Sequence, residues 1–256
     1  MRPPVTPQPP TNLVWFDEVD STNLVAARLV ASWGEDDEGA RLADTLVLAG
    51  RQSAGRGRGG KVWVSPAGGL YASWLGWLPV ATLEAVPLGA AVCLAEAIES
   101  EHPGVSVGLK WPNDLVAGGG KLGGILCQSR VSGDSAWVIV GLGVNLQAVP
   151  PLGPDAGRAA CLAELGWSGE TGPACWRLAS AFVAALRPAL ADAPRTLASW
   201  SRRSVHAVGE LMQVQLDGQS ARGRFTGFGP RGELLLEVGG SVRAIGAGSL
   251  VAALEP

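Results

Sequence analysis

Apolar and polar positions along this chain follow two periods, and the switches between them mark out its elements. A helical period runs through Leu24-Val-Ala-Ala-Arg-Leu-Val30, directly after the helix-capping side chains of Asp20-Ser-Thr-Asn23, so a helix starts there and stops near Gly34. The Ala-rich stretch from Thr82 to Glu101, with Pro87 near its first turn and His102-Pro-Gly104 behind it, predicts a long second helix. Pro173 opens a third that runs to about Ala191 and bends at Pro188. Strand patterns occupy Thr45–Ala49, Lys61–Val64, the aromatic-rich Leu70–Leu78, Lys121–Leu126 and Ala136–Leu146. Val105, Val107, Leu109 and Trp111 alternate in a further strand that stops at Pro112, and Gly118-Gly-Gly120 turns the chain back towards Lys121. Residues 147–172 form a Pro/Gly-rich connection.

After Trp200 the pattern changes to short runs, Leu211–Leu216, Ala221–Phe228, Glu233–Val238 and Ser249–Ala253. Asp217-Gly218, Gly229-Pro-Arg-Gly232 and Gly239-Gly240 separate them, which predicts a small antiparallel barrel. The expected class is α+β: a mixed, largely antiparallel sheet covered on one face by helices, with the barrel appended. The expected divisions are a disordered Pro-rich tail at 1–11, a main domain at 12–205 and the barrel at 206–256. No internal repeat is present.

The 256 residues carry 20 basic and 23 acidic side chains, a net charge of −3, so any basic patch is local and bulk nucleic-acid binding is not expected. No apolar run approaches the length needed to span a bilayer, since Glu96, glycines and prolines interrupt the best stretches. Met1–Pro10 has prolines where a signal peptide has its apolar core, so a cytoplasmic protein is expected. Cys93, Cys127, Cys161 and Cys175 show no Cys-x-x-Cys spacing, and His102 and His206 are the only histidines. That argues against a zinc site or a disulfide framework and for four reduced, mostly buried thiols.

Candidate chemistry gathers in two segments. Gly55-Arg-Gly-Arg-Gly-Gly60 places Arg56 and Arg58 between glycines. It satisfies the dinucleotide pattern G-x-G-x-x-G formally, but Lys61-Val-Trp-Val-Ser-Pro66 follows where that pattern requires a helix. Guanidinium groups offer paired donors to phosphoryl oxygens, and the glycines Gly55 and Gly57 let backbone approach a ligand and the loop close over it. Such a lid protects a mixed anhydride from water. In Lys110-Trp-Pro-Asn-Asp-Leu115 a cation, an aromatic ring and two polar side chains share one tight turn. Lys121, with Gly123 and Gly124 leaving room beside it, supplies a point charge for a phosphate or a developing oxyanion. Together these point to nucleotide-dependent carboxylate chemistry.

Taken in order, these segments resemble the biotin protein ligases. Ser21-Thr-Asn23, Gln52, Gly55–Gly60 with Trp63, Lys110–Leu115, Lys121-Leu-Gly-Gly-Ile-Leu126 and Gly141-Leu-Gly-Val-Asn145 carry the resemblance. The last fifty or so residues, with Gly232-Glu-Leu-Leu-Leu236, resemble that family's C-terminal SH3-like barrel. The resemblance implies a synthetase-like catalytic domain that makes biotinyl-5′-AMP from biotin and ATP with Mg2+. The biotinyl group then passes to a lysine of a biotin carboxyl carrier protein, without nucleic acid or membrane as partner. A homodimer is compatible with it. By motif position, Ser21, Thr22, Asn23 and Gln52 are implied to meet biotin, and Gly55, Arg56, Gly57 and Arg58 the adenylate. Lys121 is implied to contact the biotin carboxylate and the adenylate and to be catalytic with Arg56 and Arg58. Trp111, Asn113 and Trp200 are implied for the nucleotide side, Trp200 by stacking on adenine, with core packing the equal alternative for that ring. Many relatives carry Arg where Lys61 stands and a bulky residue where Gly59 stands; Lys61 keeps the charge without the guanidinium fork. A lipoate or octanoate ligase of the same superfold and a non-catalytic adenylate sensor are the alternatives.

Overall fold

The computed structural model describes residues 12–33, 44–150, 157–216, 219–246 and 248–251. The tail expected at 1–11 and the end of the last barrel run lie outside the described residues. In chain order the elements are β1 (Asn12–Val19), α1 (Thr22–Trp33), β2 (Thr45–Gln52), β3 (Gly69–Pro79), α2 (Val86–Glu101), β4 (Gly108–Lys110), β5 (Asp114–Ala117), β6 (Gly120–Ser132) and β7 (Ser135–Asn145). There follow α3 (Thr171–Ala191), α4 (Ala193–Arg203), β8 (Leu211–Leu216), β9 (Gln219–Phe228), β10 (Leu234–Val238), β11 (Ser241–Ile245) and β12 (Ser249–Val251).

A seven-stranded sheet has the order β1-β2-β3-β7-β6-β5-β4. β1 pairs with β2 in parallel and the other neighbours run antiparallel, so the sheet is mixed and largely antiparallel as expected. Helices cover both of its faces, not one. Val47, Leu75 and Ile139 pack with Val25, Ala26 and Val30 of α1. The intervening Leu46, Leu48, Ala72, Trp74, Val138 and Val140 belong with α2 and α3 to the larger core. Strands buried on both faces are apolar at every position, so alternation carries no information about how many faces are covered.

Several local expectations need correction. Lys61–Val64 is not a strand; only isolated bridges, Arg56 with Val62 and Gln52 with Ser65, tie it to the loop. The strand expected over Val105–Trp111 is reduced to β4, and β5 intervenes before β6, so the chain makes two hairpins there. Val80–Glu101, a 3-10 turn running into α2, is 22 residues long and apolar enough to cross a bilayer, contrary to the reading of interrupted runs. Of its most apolar stretch 61% is buried, so that apolarity fills the protein core. β1 and α4 were not anticipated. β1 carries Leu13 and Trp15 outward as well as Val14 and Phe16 inward, so its polarity does not alternate. α4 follows Asp192, whose carboxylate accepts the Arg195 amide at 3.3 Å, and Pro188 near the end of α3 with Pro194 at the start of α4 mimics a break.

The C-terminal strands form a five-stranded antiparallel sheet of order β11-β10-β9-β8-β12. Its inward residues Met212, Val214, Phe225, Leu234, Leu236 and Ile245 are continuous with the main core. The barrel meets the turn that follows β4, where Trp111 Nε1 donates to Gly232 O.

Candidate active site

The cavity opens beside the N-terminus of α1, on the α1 face of the sheet, and holds about 210 Å³. At its neutral end Ser21, Thr22 and Asn23 are buried, as a helix start built of short polar side chains allows. Gln52 Oε1 accepts from the Thr22 amide at 2.9 Å and from Thr22 Oγ1 at 3.3 Å, while Gln52 Nε2 donates to Ser65 Oγ at 2.8 Å. Asn23 Nδ2 donates to Leu126 O at 3.3 Å and to Gln128 Oε1 at 3.0 Å. Ser73 Oγ lies 2.8 Å from Thr22 Oγ1 and 2.6 Å from Asn23 Oδ1. These buried groups brace one another before any ligand arrives, which fixes their lone pairs and protons in place. Ser73, Ser65 and Gln128 escaped the sequence reading. The one available signal was a serine inside the apolar run Leu70–Leu78, the position of a buried polar group that needs partners.

The floor is made of glycines on one face of β6 and β7. Gly124 lies opposite Gly143, and Gly141 lies opposite Ser73. A Cβ at Gly141 would overlap the Asn23 carboxamide, and one at Gly143 would come within 2.7 Å of the Trp63 ring. The missing side chains let Asn23 and Trp63 lie against the sheet. Trp63 Nε1 is buried without a partner, and Lys121 Nζ sits 5.3 Å from the indole centroid.

At the other end Arg56, Arg58, Lys61, Lys110 and Lys121 line the wall against one carboxylate, Asp114. Lys121 Nζ is 2.6 Å from Asp114 Oδ1. The Lys121 backbone is held by its neighbour segment, its amide donating to Arg158 O at 2.8 Å and its carbonyl accepting from Ala160 at 2.9 Å. The Arg56–Val62 loop folds back on itself through Gly57 N to Lys61 O at 2.7 Å and Trp63 N to Gly55 O at 2.9 Å. Gly59 turns it with φ of 62°, a left-handed conformation in which a larger residue is strained. Arg58 is half-buried and its Nη1 donates to Gly248 O of the barrel at 3.2 Å. Burial pulls the Arg58 pKa below its ordinary value and Asp114 opposes that shift; a guanidinium stays charged nonetheless. An under-solvated cation of this kind favours an anionic ligand beside it.

The remaining candidates separate. Asn113 lines the cavity, but its Nδ2 donates to Ile125 O at 2.8 Å and ties the turn to β6. Trp111, joined to Pro112 by a cis peptide, also lines it, with its indole Nε1 donating to Gly232 O at 3.3 Å. Gly55 is buried at the base of the loop, where a Cβ would overlap Trp63 O. Trp200 does not join the site. It is fully buried in the core and packs edge-on against Phe228, with ring centroids 6.3 Å apart, so it is not available to stack on adenine.

Chemically the cavity joins a neutral hydrogen-bonding slot to a cationic slot across an open floor. No cysteine or histidine is among its lining residues, and elsewhere burial pushes the Cys93, Cys127 and Cys175 thiols up to about 12. Among the described residues no group of three or more His, Cys, Asp or Glu is placed to hold a metal.

Comparison with known proteins matches residues 30–145 to the biotin/lipoate A/B protein ligase family. The chain is 31% identical to the biotin–[acetyl-CoA-carboxylase] ligase of Mycobacterium tuberculosis, over 92% of this chain and 88% of that protein. It is 32% identical to the enzyme of the same name from Paracoccus denitrificans, over 85% and 90%. A solved biotin protein ligase from Aquifex aeolicus in complex with biotin and ATP superposes with a TM-score of 0.73 at 26% identity, covering 94% of this chain and 97% of that one. A shared fold at that coverage, curated relatives matched over most of their length and a cavity of the chemistry described above lead to one assignment: this chain belongs to the biotin protein ligase family of ATP-dependent ligases.

Proposed function

We propose that the cavity condenses biotin with ATP to biotinyl-5′-AMP and passes the biotinyl group to a lysine of a biotin carboxyl carrier protein. The observation that carries this reading is one cavity that joins the neutral Ser21–Asn23 and Gln52 end to a cationic wall holding Lys121 and the Arg/Gly loop. The urea and bicycle of biotin enter the neutral slot, where Ser21, Thr22, Asn23 and Gln52 can pair a urea without burying a charge. The valerate carboxylate then points along the glycine floor towards Lys121. Attack of that carboxylate on the α-phosphorus forms the acyl–phosphate bond and expels pyrophosphate. Charge builds on the phosphoryl oxygens as it does so, within reach of Lys121, Arg56 and Arg58. In the second step the carrier amine attacks the acyl carbonyl, AMP leaves, and Lys121 serves the oxyanion. Neither step requires a covalent enzyme intermediate. Magnesium arriving with the nucleotide fits this wall: Asp114 is the carboxylate there, and the ion commonly takes one or two carboxylates plus phosphate oxygens.

Incubation with biotin, ATP, Mg2+ and a carrier domain, read by intact mass, tests the assignment; an unmodified carrier contradicts it. Lipoate competing equally with biotin in ATP–pyrophosphate exchange would favour the lipoate alternative. Arg58→Gly removes both the half-buried cation and the tie to Gly248. It is expected to speed release of biotinyl-5′-AMP by about tenfold, the scale of one charge-assisted hydrogen bond. An unchanged dissociation rate would show that the loop retains the adenylate without Arg58.

A further inference from the structure

The turn after β4 is gripped from below by the barrel side of the molecule. Trp111 N–H can only donate, and His206 Nε2 lies 3.2 Å from it, so Nε2 carries a lone pair and the ring proton is on Nδ1. That Nδ1 faces Glu210 Oε2 at 3.5 Å, and the same oxygen accepts the Ala207 amide at 3.2 Å. The imidazole side chain is 5% exposed and stands edge-on to Phe225 of β9, with centroids 5.8 Å apart. A second grip is the Trp111 indole on Gly232 O. Between them, His206 and Gly232 hold the residue that opens the Trp111–Asp114 wall of the cavity.

We propose that neutral His206 is a positioning residue for the nucleotide end of the site. By accepting the Trp111 amide it sets the turn that carries Asp114 opposite Lys121, so acid weakens the use of ATP and spares the biotin slot. The inference rests on the reading of that turn as the nucleotide side. A proton on Nε2 converts the acceptor into a second donor facing Trp111 N–H, and the hydrogen bond is lost. The charged groups that act on the ring are Glu210, which favours the imidazolium, and Lys110 on β4, which opposes it. Burial, with Lys110 acting in the same direction, outweighs Glu210 and holds the His206 pKa below the ordinary 6.5. The sign follows. Above pH 6.5 the ring is neutral folded or unfolded and contributes nothing pH-dependent. As the pH falls below 6.5 the unfolded chain takes up the proton first, so stability declines, and the hydrogen bond breaks once the folded ring titrates.

The test compares the wild type with His206→Gln, which keeps an acceptor but does not titrate, and His206→Leu, which has none. KM for ATP and KM for biotin are measured by ATP–pyrophosphate exchange at intervals from about pH 8 to about pH 5, with a thermal melt at each pH to count folded protein. At the alkaline end the Leu variant should show KM for ATP raised several-fold with KM for biotin held, and the Gln variant should recover most of the wild-type value. On acidification the wild-type KM for ATP should climb towards that of the Leu variant, while the ratio of Gln to Leu stays constant. Protonation of ATP itself acts on all three alike and leaves those ratios alone. A wild-type-to-Gln ratio that is flat with pH in active enzyme overturns the proposal. So does a Leu variant in which both KM values rise together. A wild type inactive at every pH would instead overturn the functional reading beneath it.

Discussion

Lys121→Ala is expected to lower the rate of biotinyl-5′-AMP formation by about 100- to 1000-fold, on the order of 3–4 kcal/mol of lost transition-state stabilisation. Lys121 lines the cavity on its cationic wall, next to the Trp63 ring that lies over the glycine floor. Its Nζ is 2.6 Å from Asp114 and 5.3 Å from the Trp63 ring centre, and its own backbone is fixed on both sides by residues 158–160. A pre-positioned ammonium pays little reorganisation as charge develops on the phosphoryl and acyl oxygens. Its exchange partner in the resting site, Asp114, is only one residue from the turn, so Nζ can leave it for an anionic ligand without moving the chain. The effect should fall on the turnover number for ATP–pyrophosphate exchange far more than on the affinity for biotin, because only the carboxylate end of biotin reaches Lys121 while the bicycle slot does not include it. A near-normal turnover number in Lys121→Ala would remove it from the chemistry.

Gly141→Ala is expected to weaken biotin binding by about 100-fold, towards the upper end of the ~1–3 kcal/mol that overpacking costs. The added methyl cannot be accommodated by a small shift. It meets the Asn23 carboxamide, which is held by Ser73, Leu126 O and Gln128 and cannot retreat without breaking those hydrogen bonds. Calorimetric titration with biotin measures the loss, and KM for ATP should change far less because the cationic wall lies beyond Gly143. Undiminished affinity would mean that Asn23 is not part of the biotin slot.

Much of this site is visible in the residue order. The helix cap at Asp20–Asn23, the Arg/Gly loop and Lys121 each sit in a local pattern whose physics is short-range, and the structure brings all three to one cavity. What long-range packing decides was not readable. For Trp200 the residue order leaves adenine stacking and core packing both open, and only tertiary contacts decide it by burying the ring against Phe228. Ser73 reads as an interruption in an apolar strand; its role depends on α1 delivering Thr22 and Asn23 fifty-odd residues away in sequence, at 2.8 and 2.6 Å. His206 gives no local signal at all, because its partner Trp111 precedes it by 95 residues. The covering of both sheet faces was hidden for a related reason. In the central stretches Leu46–Ala49 of β2, Leu70–Leu75 of β3 (Ser73 apart) and Ala136–Val140 of β7 both faces are apolar, and periodicity vanishes where burial is complete.

A crystal structure with biotinyl-5′-AMP bound tests the central claim most directly. The account predicts the bicycle against Ser21–Asn23 and Gln52, the Arg56–Val62 loop folded over the phosphate, and Lys121 Nζ moved from Asp114 to within hydrogen-bonding distance of the acyl–phosphate oxygens. An adenylate bound with Lys121 still paired to Asp114 and the loop turned away from the phosphate would contradict it.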